Sequence, residues 1–153
     1  MSTTANSDQI NGLNKLITTL YDGENGYKEA ADEVDSVSLQ QTFREYSKQR
    51  YDFGHEIKPF ITQMGGTVDK GGSFSAGVHR FWMDIKSALG TNEESAILAE
   101  CVRGDESAVN TYEEVMKDTA LPADARNTIS RQLDALRRGL AEMRRLESTY
   151  EKA

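Results

Sequence analysis

At 153 residues the chain has the length of one domain, enough to bury roughly 70% of the surface its unfolded form exposes. Its formal charge of −7 argues against a protein built to coat nucleic acid or an anionic membrane, both of which need a basic footprint, and no run approaches the ~20 apolar residues of a membrane span. Hydrophobic content of 37% against charged content of 28%, with two prolines, is the composition of long helices apolar on one stripe only.

The start, Met1 to Asp8, is polar and lacks the apolar core of a signal peptide, so a cytoplasmic location is expected, with residues 1–7 disordered or frayed and residues 8–151 forming one domain. The first helix is expected over Asp8 to Asp35 with Ser7 as its N-cap, on a stripe of Leu13, Leu16, Ile17, Leu20, Tyr27, Ala31 and Val34. Asp22-Gly23 and Asn25-Gly26 are turn signals inside that stretch, so a broken helix is the competing reading. A continuous helix would use the glycines to admit a bulky neighbour, expected to be aromatic.

Ser38 followed three residues later by Gln41 has the form of a capping box and starts the second helix. Its apolar side is Leu39, Phe43, Tyr46, Phe53, Ile57, Phe60 and Met64. The short link before it forces an antiparallel hairpin, Pro59 predicts a kink, and Gly65-Gly66 stops the helix. A shorter helix is expected at Phe74 to Leu89 within the connection that follows. Thr91 with Glu94 repeats the capping signal for a helix over Asn92 to Thr119, facing inward through Ile97, Cys101, Ala108, Tyr112 and Val115. The single cysteine, Cys101, reads as a small buried hydrophobe on that stripe and fits a reducing compartment. After Leu121-Pro122 a last helix runs to Tyr150 on Ile129, Leu133, Leu136, Leu140, Met143, Leu146 and Tyr150.

Two long helices, a crossover, then two more long helices predict an all-α antiparallel four-helix bundle with a short extra helix in the long crossover, the layout of ferritin-like folds. Metal-bearing members of that class need a Glu from each of two helices and Glu-x-x-His from each of the others. The nearest match is Asp52-x-x-His55, with Asp22 and Glu24 placed within reach by the hairpin. The last helix has no histidine, and Glu100 and Glu106 lie off the apolar stripe of the third long helix. No metal or other cofactor is therefore expected, and iron or manganese held by Asp22, Glu24, Asp52 and His55 is the alternative.

His79 and Trp82 sit on the expected crossover helix, where His79 reads as a tether and Trp82 as a packing anchor docking at Gly23 and Gly26. A small-ligand pocket between Tyr27, His79 and Trp82 is the competing reading. Arginines 131, 138 and 145 recur every seventh residue along the last helix. Glu93, Glu94, Glu100, Asp105, Glu106, Glu113 and Glu114 make the preceding helix acidic, so charge pairing along that helix edge is expected rather than an anion or nucleic-acid site.

Leu20-Tyr21-Asp22-Gly23, Gly26-Tyr27, Ala30-Ala31, Gly65-Gly66, Gly72-Ser73, the run Gly77 to Leu89, Gly104-Asp105-Glu106 and Tyr112-Glu113 together resemble the PA2169 family, a bacterial group of ferritin-like four-helix proteins whose domain is catalogued as DUF2383. The resemblance implies a ferritin-like bundle with a first helix continuous through Gly23 and Gly26, and it implies no activity. The resulting expectation is a soluble, non-enzymatic bundle that acts through contacts with an unidentified protein partner in a stress setting and forms a homodimer, with a dry interior at mid-bundle. A degenerate di-metal oxidase or iron-handling protein and a small-ligand binder are the alternatives.

Overall fold

The computed structural model describes residues 3–69 and 94–151. Its four helices are α1 (Thr3–Glu33), α2 (Val37–Gln63), α3 (Glu94–Met116) and α4 (Ala123–Glu151). The expected crossover helix at 74–89, the Thr91 cap, His79 and Trp82 lie outside the described residues. α1 is unbroken through Gly23 and Gly26 and begins at Thr3, before the expected start at Asp8. Among the described residues no helix is long and apolar enough to cross a membrane.

Contacts between named side chains fix the topology. Gln9 reaches Asp118, Tyr27 reaches Asp105 and the Ser36 amide reaches Glu94, so numbers rise along α1 as they fall along α3. Tyr46 meets Glu142 while Gln132 meets Phe53 and Glu56, which makes α2 and α4 antiparallel as well. The bundle is therefore a square in which α1 packs on α2 and α3, α4 packs on α3 and α2, and α2 faces α3 across the diagonal. α2 ends beside Ile10, near the start of α1, whereas α3 begins beside Ser36, past the end of α1. The described chain thus leaves off after residue 69 at one end of the bundle and resumes at residue 94 at the other.

The helix ends show which local signals decide. Ser36, not Ser38, caps α2: its backbone is extended and its hydroxyl accepts from the Leu39 amide at 3.2 Å. Ser38 falls inside the first turn because the link shortens to residues 34–36. Pro59 is accommodated within α2. The other end closes in a Schellman motif, with Gly65 at φ +81° donating to Thr62 and Gly66 donating to Ile61 at 2.9 Å. A Cβ on Gly66 would lie 2.7 Å from Ile10 Cγ2, so the chain leaves α2 by passing bare backbone over α1. Asn14 then holds the exit, donating to Thr67 O at 3.0 Å and accepting from Asp69 N at 2.7 Å.

Every apolar position expected on α1 is buried, as are those expected on α3, including Cys101. Tyr46, Phe60, Met64, Leu146 and Tyr150 pack on the core from its edge. The interior is not apolar from end to end, however, because Arg50, Asp105 and Gln132 are enclosed within it at 1%, 1% and 0% exposure.

Candidate functional site

The polar centre is built by three helices. Arg50 on α2 extends across the diagonal and donates from Nη2 to Asp105 Oδ1 on α3 at 3.0 Å. Tyr27 on α1 donates its hydroxyl to the other carboxylate oxygen, Oδ2, at 2.6 Å. The Tyr27 ring also lies 5.2 Å from the guanidinium carbon, in cation–π range, and packs on Phe43 and Tyr46. Gly23 makes this possible. A Cβ there would come within 2.8 Å of Arg50 Nη1 and 3.3 Å of its Cγ, so among the described residues the neighbour that needs bare backbone at Gly23 is an arginine, while the expected aromatic, Trp82, lies outside the described residues.

Burial pushes the Asp105 carboxyl above its ordinary range, and the Arg50 charge and the Tyr27 hydroxyl pull it back only part of the way. The same burial works against the Arg50 cation, but the facing carboxylate together with Tyr27 and Tyr112 more than offsets it and holds the proton more firmly than usual. Tyr27 is pushed well up by burial and then by Asp105, so its hydroxyl stays a donor. A guanidinium, a carboxylate and a neutral phenol thus complete one another, although Arg50 Nη1 has no hydrogen-bond acceptor.

A second network runs from the core to the surface one layer away. Tyr112 donates to Gln132 Oε1 at 2.7 Å, and Gln132 Nε2 donates to Phe53 O at 3.2 Å and to Glu56 at 2.8 Å. Glu56 in turn pairs with the exposed Arg131. Of the arginine stripe of α4, Arg131 crosses to α2 and Arg145 pairs with Glu142 of its own helix at 3.6 Å, whereas the pairing with α3 that charge alternation suggests is made by the residues one position earlier, Arg137 with Glu113 and Arg144 with Glu106. Asp105, counted with the acidic surface by its sequence neighbours, belongs instead to the core.

The four residues considered as metal ligands take different places. Asp52 is exposed and paired with Lys48 at 3.0 Å, and His55 is exposed with its ring set edge-on to Tyr51 at 4.5 Å. Asp22 is buried on α1 and Glu24 is half-buried. Among the described residues, no three His, Cys, Asp or Glu side chains gather into a set that could hold a metal ion. The carboxylate that does face the interior, Asp105, has both oxygens engaged by donors. Tyr27, the described member of the ligand pocket considered with His79 and Trp82, is fully buried and commits its hydroxyl to Asp105.

Glu24 and His55 do share one feature, a cleft of about 100 Å³ between α1 and α2. Gly54 lines it, buried in the interior of α2, yet a Cβ at that position would meet nothing within 4 Å. Gly54→Ala is expected to raise stability by about 0.5–1 kcal/mol, the ordinary gain of replacing a helix-interior glycine where no clash opposes it. Chemical denaturation would check this, and a loss of stability would mean that the space is occupied.

Arg50, Asp105 and Gln132 are the residues that reading the sequence for sites passes over. Comparison with known proteins adds one assignment: residues 8–118 match the family described as Domain of unknown function (DUF2383), a span that takes in most of α1 and all of α2 and α3. No curated protein matches the chain. With its four-helix bundle and a match across most of its length, the chain belongs to the DUF2383 family.

Proposed function

We propose that this protein is a soluble, cytoplasmic, ferritin-like bundle without enzymatic activity, acting through contacts with a protein partner, as a homodimer and in a stress setting. The observation that supports this reading is the Arg50–Asp105–Tyr27 centre. Where a metal-bearing bundle gathers carboxylates around cations, this interior sets the Arg50 guanidinium against the Asp105 carboxylate, and a metal ion there would have to share the space with a guanidinium. The competing reading, a degenerate iron or manganese oxidase using Asp22, Glu24, Asp52 and His55, has Glu24 and His55 on one cleft in its favour.

Elemental analysis of untagged protein from iron- and manganese-supplemented cells separates the two. The expected result is no stoichiometric transition metal in the wild type. Stoichiometric iron or manganese that disappears in His55→Ala would overturn the proposal and establish the oxidase reading.

A further inference from the structure

One stretch of α1 is sealed on the side that turns away from the bundle. Thr18 stands two positions from both Leu16 and Leu20, a step of ~200° on a helix of 3.6 residues per turn, so it lies opposite those two core leucines. It is nonetheless 1% exposed. Asp22, four residues on, is buried too, and so is Gly26 after it. Asn11 and Lys15, on the same outward side nearer the start of α1, are exposed. The cover is therefore local and begins between Lys15 and Thr18. Among the described helices α1 packs on α2 and α3, which meet its two flanks, α2 at Tyr21 and α3 at Gly12, and leave the outward side uncovered. The Thr18 hydroxyl oxygen is shut off from solvent with no hydrogen-bond partner, so what lies over it is apolar.

The described chain leaves α2 at this very place. Asn14, one turn before Thr18, fixes Thr67 and Asp69 through its side chain, and the next described residue, Glu94, accepts from the Ser36 amide just past the other end of α1. Steps of four residues drift ~40° round a helix, so the row Asn14, Thr18, Asp22 and Gly26 winds from the flank that meets α2 towards the flank that meets α3, the helix that Glu94 begins. From Asn14 to Ser36 the axis rises roughly 33 Å at 1.5 Å per residue, well within the reach of residues 70–93 at ~3.3 Å each. We propose that this row is the docking surface for residues 70–93 of the same chain. Their sequence supplies what the row requires. Phe74, Val78, Phe81, Trp82 and Ile85 offer an apolar seal for Thr18. Lys70, Arg80 and Lys86 outnumber Asp84 and Glu93, a basic excess in a chain of net charge −7, and suit the acid at Asp22. The outward side of α1 between Thr18 and Gly26 is then interior and closed to other proteins, and the inference stands independently of what the partner is.

The test is a nuclear Overhauser measurement on the full-length wild type with labelled threonine methyl groups. The Thr18 methyl should show contacts to aromatic or aliphatic side chains of residues 70–93 within one chain. Contacts seen only between a labelled and an unlabelled copy would overturn the proposal in favour of a second copy as the cover. A Thr18 methyl without any contact to residues 70–93 would overturn it outright. Limited digestion with chymotrypsin gives a second readout. Thr18→Arg, which sets a charge under an apolar cover, should speed cleavage after Phe81 and Trp82 by about tenfold or more, because cleavage follows the population of the open form. Circular dichroism should show the helices retained, and Asn11→Arg should be digested like the wild type. Equal rates for the wild type, Thr18→Arg and Asn11→Arg would overturn the docking. The Overhauser measurement needs no variant, so it decides the matter even if Thr18→Arg fails to fold.

Discussion

Asp105→Ala is expected to destabilise the bundle by about 3–5 kcal/mol, the range found when one partner of a buried ion pair is removed. The substitution leaves Arg50, 1% exposed, charged in the core with its counter-ion gone, and it deprives the Tyr27 hydroxyl of its acceptor. At this chain length each kcal/mol is worth roughly 2–4 °C in melting temperature, and the loss is a large part of the ~5–15 kcal/mol by which domains are stable. The double variant Arg50→Met/Asp105→Leu should recover most of the loss, because apolar residues of similar size remove the desolvation cost of both charges together. A thermodynamic cycle over the two single variants and the double variant measures the coupling. A loss of less than about 1 kcal/mol in Asp105→Ala would place the pair in contact with water, contrary to its enclosure in the core.

Gly23→Leu should cost about 2–3 kcal/mol, the upper part of the usual range for overpacking a filled interior. Its Cβ alone would stand 2.8 Å from Arg50 Nη1 and 3.5 Å from Cδ. A surface arginine would swing aside, but this one is held by Asp105 and enclosed by three helices. The contrast with Gly54 sharpens the argument. Both glycines sit inside long helices, so both gain helix propensity on substitution, and only the space in front of them differs. Denaturant midpoints of Gly23→Leu and Gly54→Ala should therefore move in opposite directions. Movement of both towards greater stability would show that Arg50 is free to relocate.

The architecture was legible because the spacing of leucine, isoleucine and aromatic residues marks a helical face whatever the partner. That signal places all four helices and most of the core, passing over Ile61 on α2 and Leu98, Val102 and Val109 on α3. The charged centre escapes any reading that takes the stripe as a set of apolar residues rather than as a set of positions. Phe43, Tyr46, Phe53 and Ile57 step by three and four along α2, and the position that completes the series is Arg50. On α3 the step from Cys101 to Ala108 passes through Asp105, and on α4 Gln132 adjoins Leu133 on the inward side. Opposite charges at stripe positions of two different helices are the detectable sign of such a pair. Which helices face each other diagonally is set by tertiary packing, and no local pattern carries it.

The misplaced cap at Ser38 has a different cause. Ser36 and Ser38 both precede the apolar run, and the choice depends on how tightly α1 turns into α2. Glu94 settles that turn from outside the hairpin by accepting a hydrogen bond from the Ser36 amide at 3.1 Å. A capping box supplies its own acid from within the helix, whereas this helix start draws its second acceptor from a residue 58 positions away.

Arg50 and Asp105 belong to different hairpins, one made by α1 and α2 and the other by α3 and α4. Neither hairpin can peel away without carrying a stranded ion through an oily environment, so partial opening is penalised nearly as heavily as complete denaturation. The molecule should accordingly lose its structure in a single all-or-none transition, with slow-exchanging amides at the centres of all four helices sharing one free energy of exposure.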